Sequence, residues 1–236
     1  MGRVFEKRKH KMFARYDKMA KMFTRIGKEV AIAVKQGGPD PNMNPRLRTA
    51  IQNAKGVNMP KDRIDAAIKR ASSKDEKDFE EVVYEGYGPH GVAILIETAT
   101  DNTTRTVANV RMHFNRGNGA LGKTGSLEFL FERKGIFKIA RNNNINLEEL
   151  ELELIDFGAE EIEQDDEAIY ISTPFTEFGA MAKALEDKGF TIISAEKQRI
   201  PNTQVELSEE QQAEVEKLID ALEEDEDVQV VFHNMA

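Results

Sequence analysis

The segment Gly37-Gly38-Pro39-Asp40-Pro41-Asn42-Met43-Asn44-Pro45 decides how the amino-terminal part of the chain folds. The glycines allow backbone angles that other residues avoid, and the prolines lack a backbone donor, so a helix does not continue through this segment. Asn44 is a favoured helix cap, and Pro45 suits the first position of a helix. The segment therefore predicts a loop that ends one helix and begins the next.

Upstream of this loop, residues 5–35 contain no proline and repeat apolar residues at helical spacing. On a helical wheel the apolar residues fall within about 80° of arc, and a basic arc is centred about 120° away. The apolar residues are Tyr16, Met19, Phe23, Ile26, Val30 and Val34. The basic residues are Lys7, Lys11, Arg15, Lys18, Lys21, Arg25 and Lys28. One long helix with separate apolar and basic faces is predicted.

Two shorter helices are predicted downstream of the loop. The first runs from Pro45 to a stop at Gly56, and the second opens at Pro60. Basic residues lie outside their apolar sides, and we include Arg46, Arg48, Lys61, Lys69 and Arg70 in the candidate site. The charged run from Ser72 to Asp78 has nothing to bury, so we place the end of a three-helix domain at residue 78.

The charges are distributed very unevenly along the chain. Residues 1–75 hold 19 Lys and Arg against 7 Asp and Glu, whereas residues 76–236 hold 14 against 35, within a net charge of −9. Exposed charges are screened beyond roughly 8 Å at physiological salt, so local charge outweighs net charge at a binding surface. The basic lobe is therefore expected to bind a polyanion through its phosphates. There are two alternatives to polyanion binding. The basic helix face is only solvated, or it docks on the chain's own acidic half.

After residue 78 the pattern changes to that of strands. Strands are predicted at Glu81–Tyr87, Val92–Ile96 and Leu127–Phe131, with a helix capped by Asp101 or Asn102 between the second and third. A second unit starting at Gly135 has the order β-α-β-β-α-β, which is that of ferredoxin-like domains.

The carboxy-terminal segment holds one helix and one strand, which cannot form a core alone. The helix opens with a capping box of Ser208 and Gln211, and the strand covers Val228–His233. We expect this segment to complete the first α/β unit. The prediction is an α+β multidomain chain: a three-helix domain at 1–78, followed by two ferredoxin-like α/β domains. The first of these is discontinuous (79–132 plus 203–236), and the second is inserted into it (133–202).

Several motifs resemble those of the YebC/PmpR family of probable transcriptional regulators, which includes the mitochondrial translational activator of cytochrome c oxidase. The resemblance rests on Gly37–Pro41 with Asn44–Arg48, Asn58–Asp62 with Ala67–Arg70, Tyr84–Pro89 with Gly91–Ala93, Asp101-Asn102 with Arg105-Thr106, and Gly119–Ser126 before Phe129–Phe131. It implies a three-domain protein of the cytoplasm that binds DNA and regulates transcription, or in some members acts in translation on the ribosome. The chain departs from the family at its start, where Gly2-Arg3-Val4-Phe5 stands in place of a Gly-His-Ser-Lys-Trp-like segment.

Catalysis is not expected from this sequence. The residues Gly117–Thr124 satisfy the letters of a phosphate-binding loop, but a helix precedes them and a strand follows, the reverse of what such a loop needs. The histidines are scattered without metal spacing, and there is no cysteine. The acidic runs Asp165–Glu167 and Glu223–Asp227 are interpreted as a turn and an exposed helix end.

The sequence thus predicts a non-enzymatic DNA-binding transcriptional regulator without a cofactor. A ribosome-associated translation factor bound to ribosomal RNA is the alternative, and a nucleotide-binding enzyme is the alternative from another class. The acidic domains are expected to meet the ribosome or a basic protein. We expect a cytoplasmic monomer without a membrane partner, because no stretch is long and apolar enough to span a bilayer.

Overall fold

The computed structural model describes residues 3–73, 78–141 and 145–236, with the side chains of the first helix described from Met19 onward. Three helices come first: α1 (Arg3–Gly37), α2 (Pro45–Gly56) and α3 (Lys61–Ala71). Asn44 caps α2 by accepting a hydrogen bond from the Leu47 amide, as predicted. The core between the helices includes the predicted Ile26, Val30 and Val34. No described helix is both long and apolar enough to cross a membrane.

Helix α1 extends well beyond the core that its described side chains form. Its 35 residues extend over about 52 Å at 1.5 Å per residue. The apolar cluster between the three helices takes α1 side chains from Phe23 to Val34. The backbone of α1 therefore continues for about five helical turns on the amino-terminal side of Phe23.

The first sheet contains β1 (Glu80–Tyr87), β2 (Ala93–Thr100), β3 (Ala120–Leu121) and β8 (Val228–His233), in the order β3-β1-β2-β8. Helices α4 (Thr103–Arg116) and α7 (Glu209–Glu223) cover one face with a shared apolar cluster. Asn102 caps α4, and the predicted capping box of Ser208 and Gln211 is present at α7. The carboxy-terminal strand thus lies at an edge of this sheet, paired with β2.

The second sheet contains β4 (Phe131–Ala140), β5 (Glu161–Gln164), β6 (Ala168–Pro174) and β7 (Ile192–Pro201), in the order β5-β6-β4-β7. Helices α5 (Leu147–Leu154) and α6 (Phe178–Asp187) pack on one face. The predicted class, a helical region followed by two four-stranded antiparallel α/β units, is confirmed. This second sheet has the ferredoxin strand order, whereas the first sheet has the consecutive strands β1 and β2 at its centre.

The predicted strand Leu127–Phe131 is wrong. Residues Glu128–Leu130 form a 3-10 turn, and Leu127 and Phe131 are buried against the helix-free face of the first sheet. Phe131 instead begins β4, which runs through Gly135 without a break. Glycine is suited to that position because a Cβ atom there would overlap the ring of Phe178. Leu127–Phe131 thus resembles a strand by composition, although its apolar residues serve packing between the units.

The three-helix unit contacts both sheets. At the edge strand β7, the side-chain amide of Asn53 in α2 accepts from the amide of Ala195 at 2.8 Å and donates to its carbonyl at 2.9 Å. Arg199 of β7 donates from Nε to Glu97 of β2 at 2.8 Å, joining the two sheets. Helix α2 therefore satisfies part of a strand edge that would otherwise lack a partner.

Candidate nucleic-acid interface

Helix α3 carries three exposed residues of the predicted phosphate-binding set. Its inner side buries Ile64 and Ala67, whereas Lys61, Lys69 and Arg70 are exposed. Among the described side chains, none forms a hydrogen bond or ion pair with these three basic groups. Basic groups with unused donors on a helix surface are suited to phosphate oxygens.

The flank of α3 that carries Arg70 adjoins α1. Arg63, two turns before Arg70 on the same flank, lies over the ring of Phe23 with its guanidinium carbon 5.8 Å from the ring centre. A cation stacked on an aromatic face is attracted to it and keeps its outer donors available. This contact places Arg63, near the start of α3, against the amino-terminal edge of the described α1 core.

The basic arc of α1 is only partly within the described side chains. The side chains of Lys7, Lys11, Arg15 and Lys18 lie outside them, although the backbone there is helical. The role predicted for these four residues stays a prediction. The remaining members, Lys21, Arg25 and Lys28, are described and face the carboxy-terminal part of the chain.

These three bases meet the turn between α7 and β8, residues 223–227, which we call the acidic turn. Lys21 Nζ lies 3.5 Å from Glu224 Oε1, and Arg25 donates to the carbonyl of Glu223 at 2.9 Å. The alternative that the sequence left open, docking of the basic face on the acidic half, therefore holds for this part of the arc. Contact of these three bases with nucleic acid remains a prediction and requires displacement of the acidic turn.

Lys28 is the most deeply engaged of the three. Its ammonium group donates to the carbonyls of Glu226 at 2.7 Å and Ala99 at 2.9 Å, and to Asp227 Oδ1 at 3.0 Å. An ammonium group has three protons, so these acceptors use its whole donor capacity. Only 12% of its side chain is exposed, and Lys28 thus anchors α1 to the first sheet.

Asp227 is the centre of this anchor. Its second carboxylate oxygen accepts from Arg105 at 2.7 Å, Thr106 at 2.8 Å and Thr100 at 3.1 Å. Burial by itself raises the pKa of Asp227, but hydrogen bonds from Arg105, Lys28 and Thr106 outweigh it and lower the pKa to about 2. The carboxylate therefore stays ionised at all physiological pH values.

The interpretation of Glu223–Asp227 as an exposed helix end is wrong for Asp227, which is buried at 4% exposure. Arg105 and Asp227 are structural residues that sequence reasoning missed. The charge pattern contained one signal, since a basic helix face and an acidic run elsewhere in the chain are complementary. Nothing local in the sequence links Lys28 with Asp227, which lies 199 positions further along the chain.

Arg46 and Arg48 are also engaged within the chain. Arg46 forms a two-pronged pair with Glu81, at 2.5 and 2.9 Å, and this hydrogen bonding lowers the pKa of Glu81. Arg48 lies 3.4 Å from Glu186 and donates to the carbonyl of Pro41 at 2.8 Å. Both arginines hold α2 in place, and their predicted contact with nucleic acid stays untested.

The residues directly after the glycine-rich segment Gly117–Thr124 bind a buried side chain of the protein. The buried carboxylate of Glu85 accepts from the amide of Gly125 at 2.7 Å and from that of Leu127 at 2.5 Å. Helix α4 precedes the segment and β3 lies within it. The segment thus follows a helix instead of a buried strand, the reverse of the context that a phosphate-binding loop needs, in agreement with rejection of the motif.

Comparison with known proteins identifies the family. Residues 3–74 match the model described as the TACO1/YebC protein N-terminal domain, and residues 79–235 match the model of the TACO1/YebC second and third domain. The chain belongs to the TACO1/YebC family. The resemblance inferred from the sequence motifs is confirmed.

Relatives within the TACO1/YebC family are similar along the whole chain. A probable transcriptional regulatory protein of Cytophaga hutchinsonii is 64% identical, covering 100% of this chain and 99% of the relative. A probable transcriptional regulatory protein of Parabacteroides distasonis is 57% identical, covering 100% of this chain and 97% of the relative. The crystal structure of a conserved hypothetical protein from Aquifex aeolicus is 40% identical, with a TM-score of 0.77 over 92% of this chain and 90% of that one.

Proposed function

We propose that this chain is a non-catalytic regulator of gene expression that binds nucleic acid, and that it acts on transcription by binding DNA. The observation that carries the proposal is the set of exposed bases on α3, Lys61, Lys69 and Arg70, which no described side chain neutralises. They belong to a basic lobe in an acidic protein, a pattern typical of an electrostatic footprint for phosphate.

The relatives support the regulatory part of this proposal. Proteins 64% and 57% identical to this chain over nearly their whole length carry the name probable transcriptional regulatory protein. The site residues support the binding part, because Lys and Arg contacts to phosphates supply affinity without reading bases. The proposed role is therefore attachment to the DNA backbone in the cytoplasm, with base selection left to other residues.

The test is to crosslink nucleic acid to the full-length protein in growing cells and to sequence what is recovered. The double variant Lys69→Gln and Arg70→Gln removes two exposed charges from α3. Its matched control is Lys183→Gln and Lys217→Gln, which removes from α6 and α7 two exposed charges that no described side chain pairs with.

The proposal predicts recovery of particular promoter regions with the wild type and the control, and their loss with the α3 variant. Recovery of ribosomal RNA, with co-sedimentation on ribosomes at physiological salt, would replace transcription by the translational role. Recovery of neither nucleic acid would overturn the proposed function.

A further inference from the structure

Helix α4 has a charge opposite to that of the domain it belongs to. Residues 79–130 and 203–236 together hold 17 Asp and Glu but only 5 Lys and Arg. Three of the five are arginines of α4, which contains no acidic residue at all. The neighbouring α7 contains six acidic residues and one lysine. Opposite charges are thus segregated between two adjacent helices of one layer.

The arginines of α4 differ in what they contact. Arg105, in the first turn, donates to Asp227 and to Asp101 and belongs to the anchor described above. Arg111 and Arg116 are exposed, and no described side chain pairs with either. Two acidic residues of the layer are engaged elsewhere: Asp225 accepts from Asn109, and Glu214 contacts His90. These two guanidinium groups therefore keep their donors available.

The exposed side of α4 is shaped as a shallow trough between these arginines. At 100° per residue, Arg111 and Arg116 lie about 140° apart around the helix. The strip between them carries Ala108, Met112 and Asn115, and the five side chains line a depression of about 430 Å³. Ala108 is the smallest of the five side chains, and Met112 is 36% exposed.

We propose that this face of α4 is a second nucleic-acid contact surface, which binds the phosphate backbone through Arg111 and Arg116. Each arginine presents a planar fork of donors that fits a phosphate group. The two guanidinium groups originate about 7.5 Å apart along the helix axis, so they address two phosphates rather than one. Asn115 and Met112 lie between them, where the sugars of the bound strand would lie.

The position of α4 connects this surface with the amino-terminal lobe. The helix begins at the anchor where Lys28 of α1 meets Asp227, and Arg116 lies about 16 Å along the axis from Arg105. This distance is about half of one duplex turn. The inference rests on the proposed function, because it extends the same nucleic acid from the basic lobe to the second domain.

The test compares the full-length wild type with the double variant Arg111→Gln and Arg116→Gln. Affinity for a labelled 20-base-pair DNA duplex, and for an RNA duplex of the same sequence, is measured between 50 and 200 mM salt. On DNA, removal of two phosphate contacts lowers the slope of log K against log salt by about 1.8. The ratio of the affinity at 50 mM salt to that at 200 mM salt is then about tenfold smaller in the variant than in the wild type.

Two further variants separate this surface from general charge effects. Lys183→Gln with Lys217→Gln removes the same charge elsewhere and should leave the slope unchanged. Arg111→Lys with Arg116→Lys keeps both charges and should retain most of the slope. A reduced slope only in the Gln variant of α4 supports the surface, and the duplex on which it occurs identifies the partner as DNA or RNA.

Two results would overturn the inference. In the first, the wild type binds a duplex, but the salt slope of the Gln variant of α4 is unchanged or falls as much as that of the Lys183 and Lys217 control. The second surface is then wrong, and the proposed function stands. If the wild type binds neither duplex, both are wrong. Thermal unfolding of each variant should match the wild type, because these substitutions are on the surface.

Discussion

Lys28 Nζ lies 3.0 Å from Asp227 Oδ1, and this pair joins the first helix of the chain to the turn before its last strand. Both side chains are largely buried, at 12% and 5% exposure. A buried carboxylate requires partners, and Asp227 has Lys28, Arg105 and two threonines. The pair therefore holds the basic lobe against the acidic half of the protein.

Replacement of Asp227 should destabilise the protein substantially. Asp227→Asn leaves Lys28 and Arg105 without their shared carboxylate, and breaking a buried ion pair in this way costs roughly 3 kcal/mol. The free energy of unfolding in urea measures the effect. Glu153→Gln is the control, because its pair with Lys188 is exposed and should contribute less than about 1 kcal/mol. Equal losses in the two variants would contradict the anchor.

The contribution of Asp227 should depend on pH in a defined window. Its pKa falls from the ordinary 3.8 to about 2 on folding, so its stabilisation is complete above about pH 4 and is lost as pH falls through 2. The gap in unfolding free energy between wild type and Asp227→Asn should therefore shrink from pH 4 to pH 2. Urea midpoints at several pH values measure it, and a gap that stays constant down to pH 2 would refute the assignment.

The contact between α2 and β7 should be sensitive to a single methyl group. A Cβ atom at Gly56 would overlap the carbonyl oxygen of Ile193, so Gly56→Ala should destabilise by roughly 1–3 kcal/mol. Gly27→Ala is the matched control, since no described atom outside the adjoining backbone of α1 lies within 4 Å of its Cβ position. Alanine should there stabilise α1 by about 0.5–1 kcal/mol.

Hydrogen exchange locates the effect of the Gly56 substitution. The Ala195 amide donates to Asn53 of α2, so it should exchange faster in Gly56→Ala and at the wild-type rate in Gly27→Ala. Unchanged protection of Ala195 in Gly56→Ala would show that α2 does not depend on this close approach.

The acidic turn should compete with nucleic acid for the basic face of α1. Glu224→Gln with Glu226→Gln weakens the contact with Lys21, so duplex affinity should rise by about two- to fivefold at low salt. Glu209→Gln with Glu210→Gln removes the same charge from the exposed start of α7 and is the control. A similar gain in the control would mean that net charge, and not displacement of the turn, is responsible.

Much of the fold could be predicted because its signals are local. The caps Asn44 and Asn102 and the capping box at Ser208 depend on residues within three positions of one another. The strand β3 could not be predicted, since two residues, Ala120 and Leu121, carry no period. The prediction of a strand at Leu127–Phe131 failed because apolar composition does not distinguish a strand from a turn packed on a sheet.

The candidate site could be predicted less completely than the fold. Helical periodicity identified which side chains share the basic arc, but it does not tell what that arc faces. Lys28 and Arg46 meet carboxylates from other parts of the chain, whereas Lys69 and Arg70 meet none among the described side chains. Tertiary contact, which no local pattern encodes, separates anchoring bases from available ones.

The most direct test of nucleic-acid binding by the basic lobe is the salt dependence of duplex affinity. Affinity of the full-length wild type and of Lys69→Gln with Arg70→Gln for a 20-base-pair DNA duplex is measured from 50 to 200 mM salt. The wild type should show log K falling linearly with log salt, and the variant a slope smaller by about 0.9 for each phosphate that it no longer neutralises. Absence of binding by the wild type, or the same slope in both proteins, would contradict binding of nucleic acid by the basic lobe.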